Sequence, residues 1–418
     1  MSAGTSRLDK YWVRDRAFYK KVLVILIPIV LQSVINQGVN MMDTVMVGRL
    51  GEASISASSL ANQFYNIFVF LCMGISAAGL VLASQYFGAG DLKTVRRVFD
   101  LILQIVLIGG TVFALLSFFL PEQIIRVFTH EEDVVKLGAD YVFIFGKLGM
   151  PALGVMGAAV GTLIARLVEF TFCAVYLLKK EKVLQYRPSG LLKKPSKLLF
   201  SEFRRLGMPA IISDSLLALA ASAISIILGH MGKEIVSAYA IVTVVDRMAT
   251  VAIQGVSSAS GVIIGQTVGE GEFDRAQKEG WTFLILSVLI GLIGAVLVLV
   301  LGEWSIGLYE ITPETAQITT SMMLASAIIV FFQAIQSALS KGILRGGGDT
   351  KFLMIADIIF QWVASIPLGA LAGLVLGLDP FWVLIALRID FIIKSVWLVF
   401  RLKSGKWIHK ARSMEGAE

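Results

Sequence analysis

The sequence predicts an all-α, polytopic membrane protein, and three observations support that fold class. Of the 418 residues, 56% are hydrophobic and only 16% are charged, whereas a soluble domain carries about 25% charged residues. The mean hydropathy is +0.79. Charge-free runs recur along the chain, at 22–35, 67–82, 101–120 and 283–301. Because a helix needs roughly 20 residues to cross about 30 Å of hydrocarbon, such runs favour spanning helices.

The continuity of these runs selects helices over a closed barrel. Backbone groups in lipid must be hydrogen-bonded within the protein, so only these two architectures span a bilayer. Barrel strands would alternate in polarity over about 10 residues, and these runs do not alternate. The sequence therefore predicts about ten transmembrane helices, at 22–47, 56–88, 96–120, 153–179, 206–229, 236–268, 280–302, 316–343, 352–376 and 380–401.

The distribution of Lys and Arg predicts the sidedness. The N-terminal segment, the turn at 93–97, the stretch 179–205, the loop 341–351 and the tail from 401 are basic. With an even number of spans, all of these fall on one side, which the positive-inside rule makes cytoplasmic. We expect both termini in the cytoplasm of a cell whose plasma (cytoplasmic) membrane holds the protein. The net charge of +7 follows from this topology and predicts no nucleic-acid partner.

Cysteine and histidine usage indicates neither a metal site nor an enzyme. Cys72 and Cys173 both lie in apolar runs, where a thiol behaves as a small buried hydrophobe. No His-Glu-x-x-His motif and no Ser/His/Asp set occurs in the predicted spans, so we expect no catalytic residues and no cofactor.

An internal repeat divides the chain into two halves. At a shift of 181 residues, Pro28 aligns with Pro209, Gln85 with Gln266, and Gly88 with Gly269. The matched positions are mostly Gly, Pro or small residues, which set kinks and close helix contacts. An even number of spans precedes the second half, so the halves are parallel, as in many transporters that bind their substrate between repeats.

The first half is the shorter one. Near the end of each half the best alignment requires a shift of 222, and the difference between the shifts is 41 residues, about two helices. The segment 141–146 stands where the second half has its spans 316–343 and 352–376. We therefore predict four helices in the first half and six in the second.

Four motifs along this repeat carry a resemblance to a known family. They are MDTVMVG at 42–48, QYFGAGD at 85–91, LGVMGAA at 153–159 and LRGGGDTK at 344–351. Together they resemble the multidrug and toxic compound extrusion (MATE) family over about residues 15–405. The resemblance implies a two-lobe helical bundle that exports organic, often cationic, molecules in exchange for H⁺ or Na⁺. The family has twelve helices, and this chain departs from it by lacking the fourth and fifth of the first lobe.

The predicted organisation follows from the repeat and the charge pattern. We expect a cytoplasmic N-terminus at 1–21, an N-terminal lobe at 22–180 and a basic cytoplasmic linker at 181–205. A C-terminal lobe at 206–402 and a cytoplasmic tail at 403–418 complete the chain.

Asp43 is the first candidate functional residue, because a charge within a span costs roughly 2.5–3.5 kcal/mol on insertion scales. Gln37 and Asn40 precede it at spacings of three, which keeps the three side chains on neighbouring faces. A carboxylate among amides can bind a proton or Na⁺. The resemblance implies a cation-coupling role for Asp43, and an interfacial position near the end of the span is the alternative.

The second half offers candidates for a cationic substrate. Asp357 lies beside Gln361 and Trp362, and together they supply a charge and an aromatic face; packing of Trp362 against a helix or lipid is the alternative. Asp214 follows the kink at Pro209, and the alternative there is a solvated position. For Asp390 we favour a simple pair with Lys394, four residues on.

Three functions remain open on the sequence. The leading one is a multidrug antiporter that moves small organic substrates across the lipid bilayer by alternating access. The others are a flippase for lipid or lipid-linked oligosaccharide of the same superfamily, and a shortened remnant without transport activity.

Overall fold

The computed structural model describes most of the chain. The described residues are 12–48, 52–120, 123, 167–187, 190–191, 193–307 and 311–414. Within α1 and α2 only the backbone is described at 37, 39–48, 52–65 and 67.

The described part of the chain is built from helices and contains no strand. The helices are α1 Arg16–Gly48, α2 Glu52–Gly88, α3 Leu92–Phe119, α4 167–180, α5 Lys197–Gly229, α6 Lys233–Glu270, α7 Phe273–Ile306, α8 Pro313–Gly346, α9 Thr350–Val375, α10 Pro380–Leu387 and α11 Ile389–Lys403.

The predicted fold class, an all-α polytopic membrane protein, is confirmed. Eight helices in the described ranges contain a segment long and apolar enough to cross a membrane, and they coincide with eight of the ten predicted spans. Of the predicted span 153–179, only the part from 167 onward is described, and it is helical. The shortened segment around 141–146 lies outside the described residues.

The predicted span 380–401 is two helices rather than one. α10 begins at Pro380, and the side chain of Asp379 caps it by accepting a hydrogen bond of 2.9 Å from the backbone N–H of Phe381. Arg388 then leaves helical geometry, with φ −123° and ψ 14°, and α11 starts at the next residue. The guanidinium of Arg388 donates to the hydroxyl of Tyr239 at 3.3 Å and lies over the ring of Phe391. The break therefore gives a charged side chain polar and aromatic neighbours.

One face of α7 shows how these helices meet lipid. The large apolar residues on that face are exposed, at Leu289, Leu292, Ile293, Val296 and Val300. The opposite face buries glycines; a Cβ added at Gly291 would lie 2.8 Å from that of Ala334 on α8. Small residues at such contacts let helix backbones approach closely, which is how helices associate where lipid is as apolar as the side chains.

The chain forms two compact units. Unit 1 comprises Met1–Val34, Ala77–Asp91 and Leu198–Glu418, and unit 2 comprises Ile35–Ser76 and Leu92–Lys197. In unit 1 two buried apolar clusters lie along α6, α7 and α8, and Phe283 and Leu339 are fully enclosed in one of them.

Within unit 1 the internal repeat appears as a reciprocal contact. A Cβ on Gly88 would collide with the backbone carbonyl of Gln266, and a Cβ on Gly269 would collide with that of Gln85. These four positions are the ones that the shift of 181 relates to each other. The ends of α2 and α6 therefore cross with their backbones in contact, and only glycine fits at the crossing.

The C-terminal tail is fastened across this crossing. Trp407 is fully buried and its indole N–H donates to the side-chain oxygen of Gln277 at 2.9 Å. The side-chain oxygen of Gln85 accepts from the N–H of Ala411 at 2.7 Å, and its amide nitrogen donates to the carbonyls of Gly346, at 3.0 Å, and His409, at 3.3 Å. Gln85 therefore ties the end of α2 to both the end of α8 and the tail.

In unit 2 the linker after α4 folds back on α3. The hydroxyl of Tyr186 donates to Asp100 at 2.7 Å, and burial together with that carboxylate raises the pKa of the phenol. Glu181 accepts backbone hydrogen bonds from residues 183, 184 and 185, which lower the pKa of its carboxyl. The start of the predicted basic linker is thus an ordered turn.

Candidate functional site: a buried charge cluster

Three ionisable side chains meet inside unit 1. The ammonium of Lys394 on α11 lies 2.5 Å from Oδ1 of Asp357 on α9 and 3.8 Å from Oδ2 of Asp390. Lys394 and Asp390 are 0% exposed and Asp357 is 1% exposed. An unpaired ion in such a place costs several kcal/mol, so three buried ionisable groups are expected to lie against one another. We call Asp357, Lys394 and Asp390 the charge cluster.

Hydroxyl groups complete the polar shell of the charge cluster. Ser213 on α5 donates a short hydrogen bond to Oδ2 of Asp357. Ser365, two turns after Asp357 on α9, donates to Oδ1 of Asp390 at 3.0 Å and accepts from the N–H of Asp390 at 3.2 Å. The cluster thus joins α5, α9 and α11.

The charge cluster includes Asp357 of α9, one of the eight helices long and apolar enough to cross a membrane among the described residues. Asp357 follows the first residue of α9 by seven positions, and Lys394 precedes the last residue of α11 by nine. At 1.5 Å per residue these positions lie about 10–13 Å from the predicted cytoplasmic ends of the two helices. A charge at this depth is a functional candidate.

Asp214 forms a second, separate ion pair. Its two carboxylate oxygens each accept from one terminal nitrogen of Arg345, both at 2.9 Å, in the bidentate geometry that guanidinium favours. Lys341, one turn before Arg345, is exposed and interacts electrostatically with Asp214 and Asp357. The substrate candidates Asp214 and Asp357 are thus both held by internal cations.

Gln361 and Trp362 follow Asp357 on a wide, π-type turn of α9, Ile358–Ser365. The side-chain oxygen of Gln361 and the indole N–H of Trp362 are buried and have no hydrogen-bond partner among the described residues. Turns of this type frequently occur at functional sites. The predicted trio therefore combines a paired carboxylate with two buried polar atoms whose hydrogen-bonding capacity is unused.

Another buried carboxylate lies apart from the charge cluster. Asp246 on α6 accepts a short hydrogen bond from Ser326 on α8 and lies in the electrostatic field of Arg388. The hydrogen-bond partner of Asp246 thus comes from a neighbouring helix.

The predicted coupling residues are placed only by their backbone. Gln37, Asn40 and Asp43 lie on α1, which is helical throughout Arg16–Gly48. Their side chains lie outside the described part of the structure, so their coupling role stays a prediction.

Sequence reasoning identified the carboxylates of the site but missed the cations that pair with them. Arg345 was placed in a loop, yet it is helical, 5% exposed and paired with Asp214. Lys394 was assigned to Asp390, whereas its shorter contact is with Asp357. The signal available for Arg345 was its position next to an apolar run, since a long side chain there can turn back into the protein.

The fold and the site together define a multi-pass helical membrane protein whose second repeat encloses an ion network. The sequence matches the MatE family over residues 28–166 and 209–371, more than half of the chain. The protein therefore belongs to the MatE family, as the four motifs indicated. Members of this family are transporters, so the protein is a membrane transporter and not an enzyme.

Similar proteins cover nearly the whole chain. "Probable multidrug resistance protein NorM" of Agrobacterium fabrum is 24% identical over 90% of this chain and 94% of its own length. The protein of the same name from Thermotoga maritima is 25% identical over 94% of each chain. "Multidrug resistance protein MdtK" of Yersinia pseudotuberculosis is 24% identical over 66% of this chain and 61% of its own length.

Solved structures share the fold. A multidrug resistance MATE family transporter of the MOP superfamily, in an outward-facing conformation, matches with a TM-score of 0.82. A MOP superfamily transporter from Pyrococcus furiosus matches with a TM-score of 0.80. Both are 17% identical and cover 93% of this chain and 97% of theirs. At this identity the likeness establishes the fold alone.

Proposed function

We propose that this transporter exports small organic cations from the cell in exchange for H⁺ or Na⁺, by alternating access. The observation that carries the proposal is the buried charge cluster, which sets carboxylates deep in the spans of a MatE-family chain. The relatives named for multidrug resistance support the substrate class.

The substrate site in this proposal is centred on Asp357. Its carboxylate supplies the charge, and Gln361 and Trp362 supply a free acceptor and an aromatic surface on the same helix. Asp214, with Arg345, forms the neighbouring part of the site. A pyrophosphate headgroup would require an excess of cations, whereas here carboxylates and cations are mixed, and this favours an exporter of cations over a flippase.

The coupling ion binds in the first lobe in this proposal. Asp43, with Asn40 and Gln37, takes up H⁺ or Na⁺ and releases it on the other side. Binding biases the equilibrium between the two access states in proportion to its differential affinity for them. The lobes are 22–180 and 206–402, and both termini lie in the cytoplasm of a cell whose plasma membrane holds the protein.

Dye efflux from cells tests the proposal. Cells that express the protein should retain several-fold less ethidium than cells without it, whereas cells with Asp43→Asn or Asp357→Asn should retain the dye. Asp274→Asn is the matched control, because Asp274 is an exposed carboxylate in the first turn of α7. Equal retention by all cells, at equal amounts of protein in the membrane, would refute an exporter of organic cations.

A further inference from the structure

Lys394 lies between two carboxylates and contacts them at different distances. Its ammonium is 2.5 Å from Asp357, a full charge-assisted hydrogen bond, and 3.8 Å from Oδ2 of Asp390, beyond hydrogen-bond reach. All three side chains are buried. The ammonium of Lys394 therefore pairs with Asp357, the carboxylate proposed to bind the substrate.

The second carboxylate has an unused place for this ammonium. Oδ1 of Asp390 is occupied by the hydroxyl of Ser365, but Oδ2 is buried and accepts no hydrogen bond from any group in the described part of the chain. A buried charged oxygen without a donor is costly, so it strongly favours any donor that can reach it. Lys394 is one turn away on the same helix, on a flexible four-carbon stem.

We propose that Lys394 is a built-in competitor of the transported cation: it occupies Asp357 in the empty transporter and moves to Asp390 when an organic cation binds. This inference rests on the proposed function and adds a specificity-determining residue to it. The movement is about 1 Å, the difference between an ion pair at 3.8 Å and a charged hydrogen bond of roughly 2.8 Å.

The charges of the cluster fit this exchange. Two carboxylates share one ammonium, and in the described part of the chain no other cation lies within 4 Å of either carboxylate. Arg388 and Lys341 act on the cluster only at longer range, and Arg345 is engaged by both oxygens of Asp214. At short range the cluster can therefore accept one further monovalent cation. When the ammonium moves by about 1 Å, its hydrogen bond to Asp357 lengthens from 2.5 Å to at most about 3.5 Å and is lost. Asp357 keeps the hydrogen bond from Ser213, so its carboxylate stays oriented.

The proposal predicts opposite effects for two changes in one cluster. Lys394→Met removes the competitor and should tighten cation binding. Asp390→Asn removes the charge that receives the displaced ammonium and should weaken it. A cluster with a merely structural role predicts weaker binding in both cases, because each change would disrupt the same site.

The experiment measures equilibrium binding of tetraphenylphosphonium, a permanent organic cation, to the purified full-length protein in detergent. We expect Lys394→Met to bind at least tenfold more tightly than wild type and Asp390→Asn at least tenfold more weakly. Asp390→Asn/Lys394→Met removes one charge of each sign and should bind more tightly than wild type, so the weakening by Asp390→Asn requires Lys394. If Lys394→Met does not fold, the comparison of this double variant with wild type tests the proposal instead.

The control is Asp246→Asn, another buried carboxylate held by a serine hydroxyl in unit 1, and its affinity should equal that of wild type. If Lys394→Met or the double variant binds no more tightly than wild type, the competitor role is wrong while the proposed function stands. If wild type binds no cation at all, both the proposed function and this inference are overturned.

Discussion

The bidentate pair of Asp214 and Arg345 leads to a sharp prediction about stability. The side chains are 13% and 6% exposed, so each ion is largely removed from solvent. Asp214→Leu would leave a buried guanidinium without a partner, and Arg345→Met would leave a buried carboxylate. The double variant removes both charges and leaves no unpaired ion.

The magnitude follows from the geometry of the pair. Each single change breaks two charge-assisted hydrogen bonds of 2.9 Å. Loss of one partner of a buried pair costs about 3–5 kcal/mol, whereas replacement of both by apolar groups is often neutral or stabilising. We expect each single variant to lose about 3 kcal/mol, since Asp214 keeps some solvent access, and the double variant to lose less than either.

Unfolding by sodium dodecyl sulfate in mixed micelles, followed by circular dichroism, measures the free energy of unfolding of the four proteins. The account predicts a coupling energy of more than about 3 kcal/mol in this double-mutant cycle, because the two single losses sum to about 6 kcal/mol and the double variant loses less than about 3 kcal/mol. Strict additivity, with a double variant that loses the sum of the single losses, would refute the idea that the two ions stabilise each other.

Three further predictions concern the tail, the helix crossing and the linker. Trp407→Ala should lower the free energy of unfolding by about 3–5 kcal/mol and expose the tail to protease, because a fully buried indole is lost; a tail equally resistant in the variant would contradict this. Gly269→Ala should lower the free energy of unfolding by about 1–3 kcal/mol in thermal unfolding, because its Cβ would meet a backbone carbonyl. Gly377→Ala places its Cβ in open space, so it serves as a comparison for backbone strain alone. Tyr186 should ionise above its ordinary pKa of about 10. Its stabilising contribution is therefore present below pH 10 and is lost as the pH rises through the pKa of the folded state. An ultraviolet titration unchanged by Tyr186→Phe would contradict this.

The fold was largely predictable because lipid imposes a simple rule on sequence. A span has to be apolar over about 20 residues, and the charge-free runs located eight helices to within several residues at most ends. The positions that the repeat aligns, Gln85/Gly88 and Gln266/Gly269, also lie at one backbone crossing, which the alignment alone did not predict. The break at Arg388 was not predictable, because it depends on a hydrogen bond to Tyr239, 149 residues away.

The carboxylates of the site were predictable from the sequence, but their cationic partners were not. The energetic cost of a charge in lipid singled out Asp214 and Asp357 from the sequence. Their partners come from other helices, with Arg345 lying 131 residues from Asp214 and Lys394 lying 37 residues from Asp357. Only the pair at Asp390 and Lys394 falls at helical spacing, and that is the longer of the two contacts of Lys394. Sequence spacing therefore identified the weaker interaction.

The contacts of the C-terminal tail were likewise not predictable from the sequence. The segment after 403 was expected to be a plain cytoplasmic extension, since it is short and basic. In the structure, Trp407 and the backbone of 409–412 are held by Gln85, Gln277 and Glu202. A lone tryptophan in a polar tail is a weak signal, and its partners lie on three different helices.

Gradient-driven transport by the purified protein in liposomes tests the central claim most directly. A pH gradient or a Na⁺ gradient is imposed separately, and movement of tetraphenylphosphonium is measured with wild type and with Asp43→Asn. The account predicts that one of the two gradients drives the organic cation in the opposite direction, and that Asp43→Asn abolishes this coupling. Folded protein that binds tetraphenylphosphonium but moves it under neither gradient would contradict cation-coupled export.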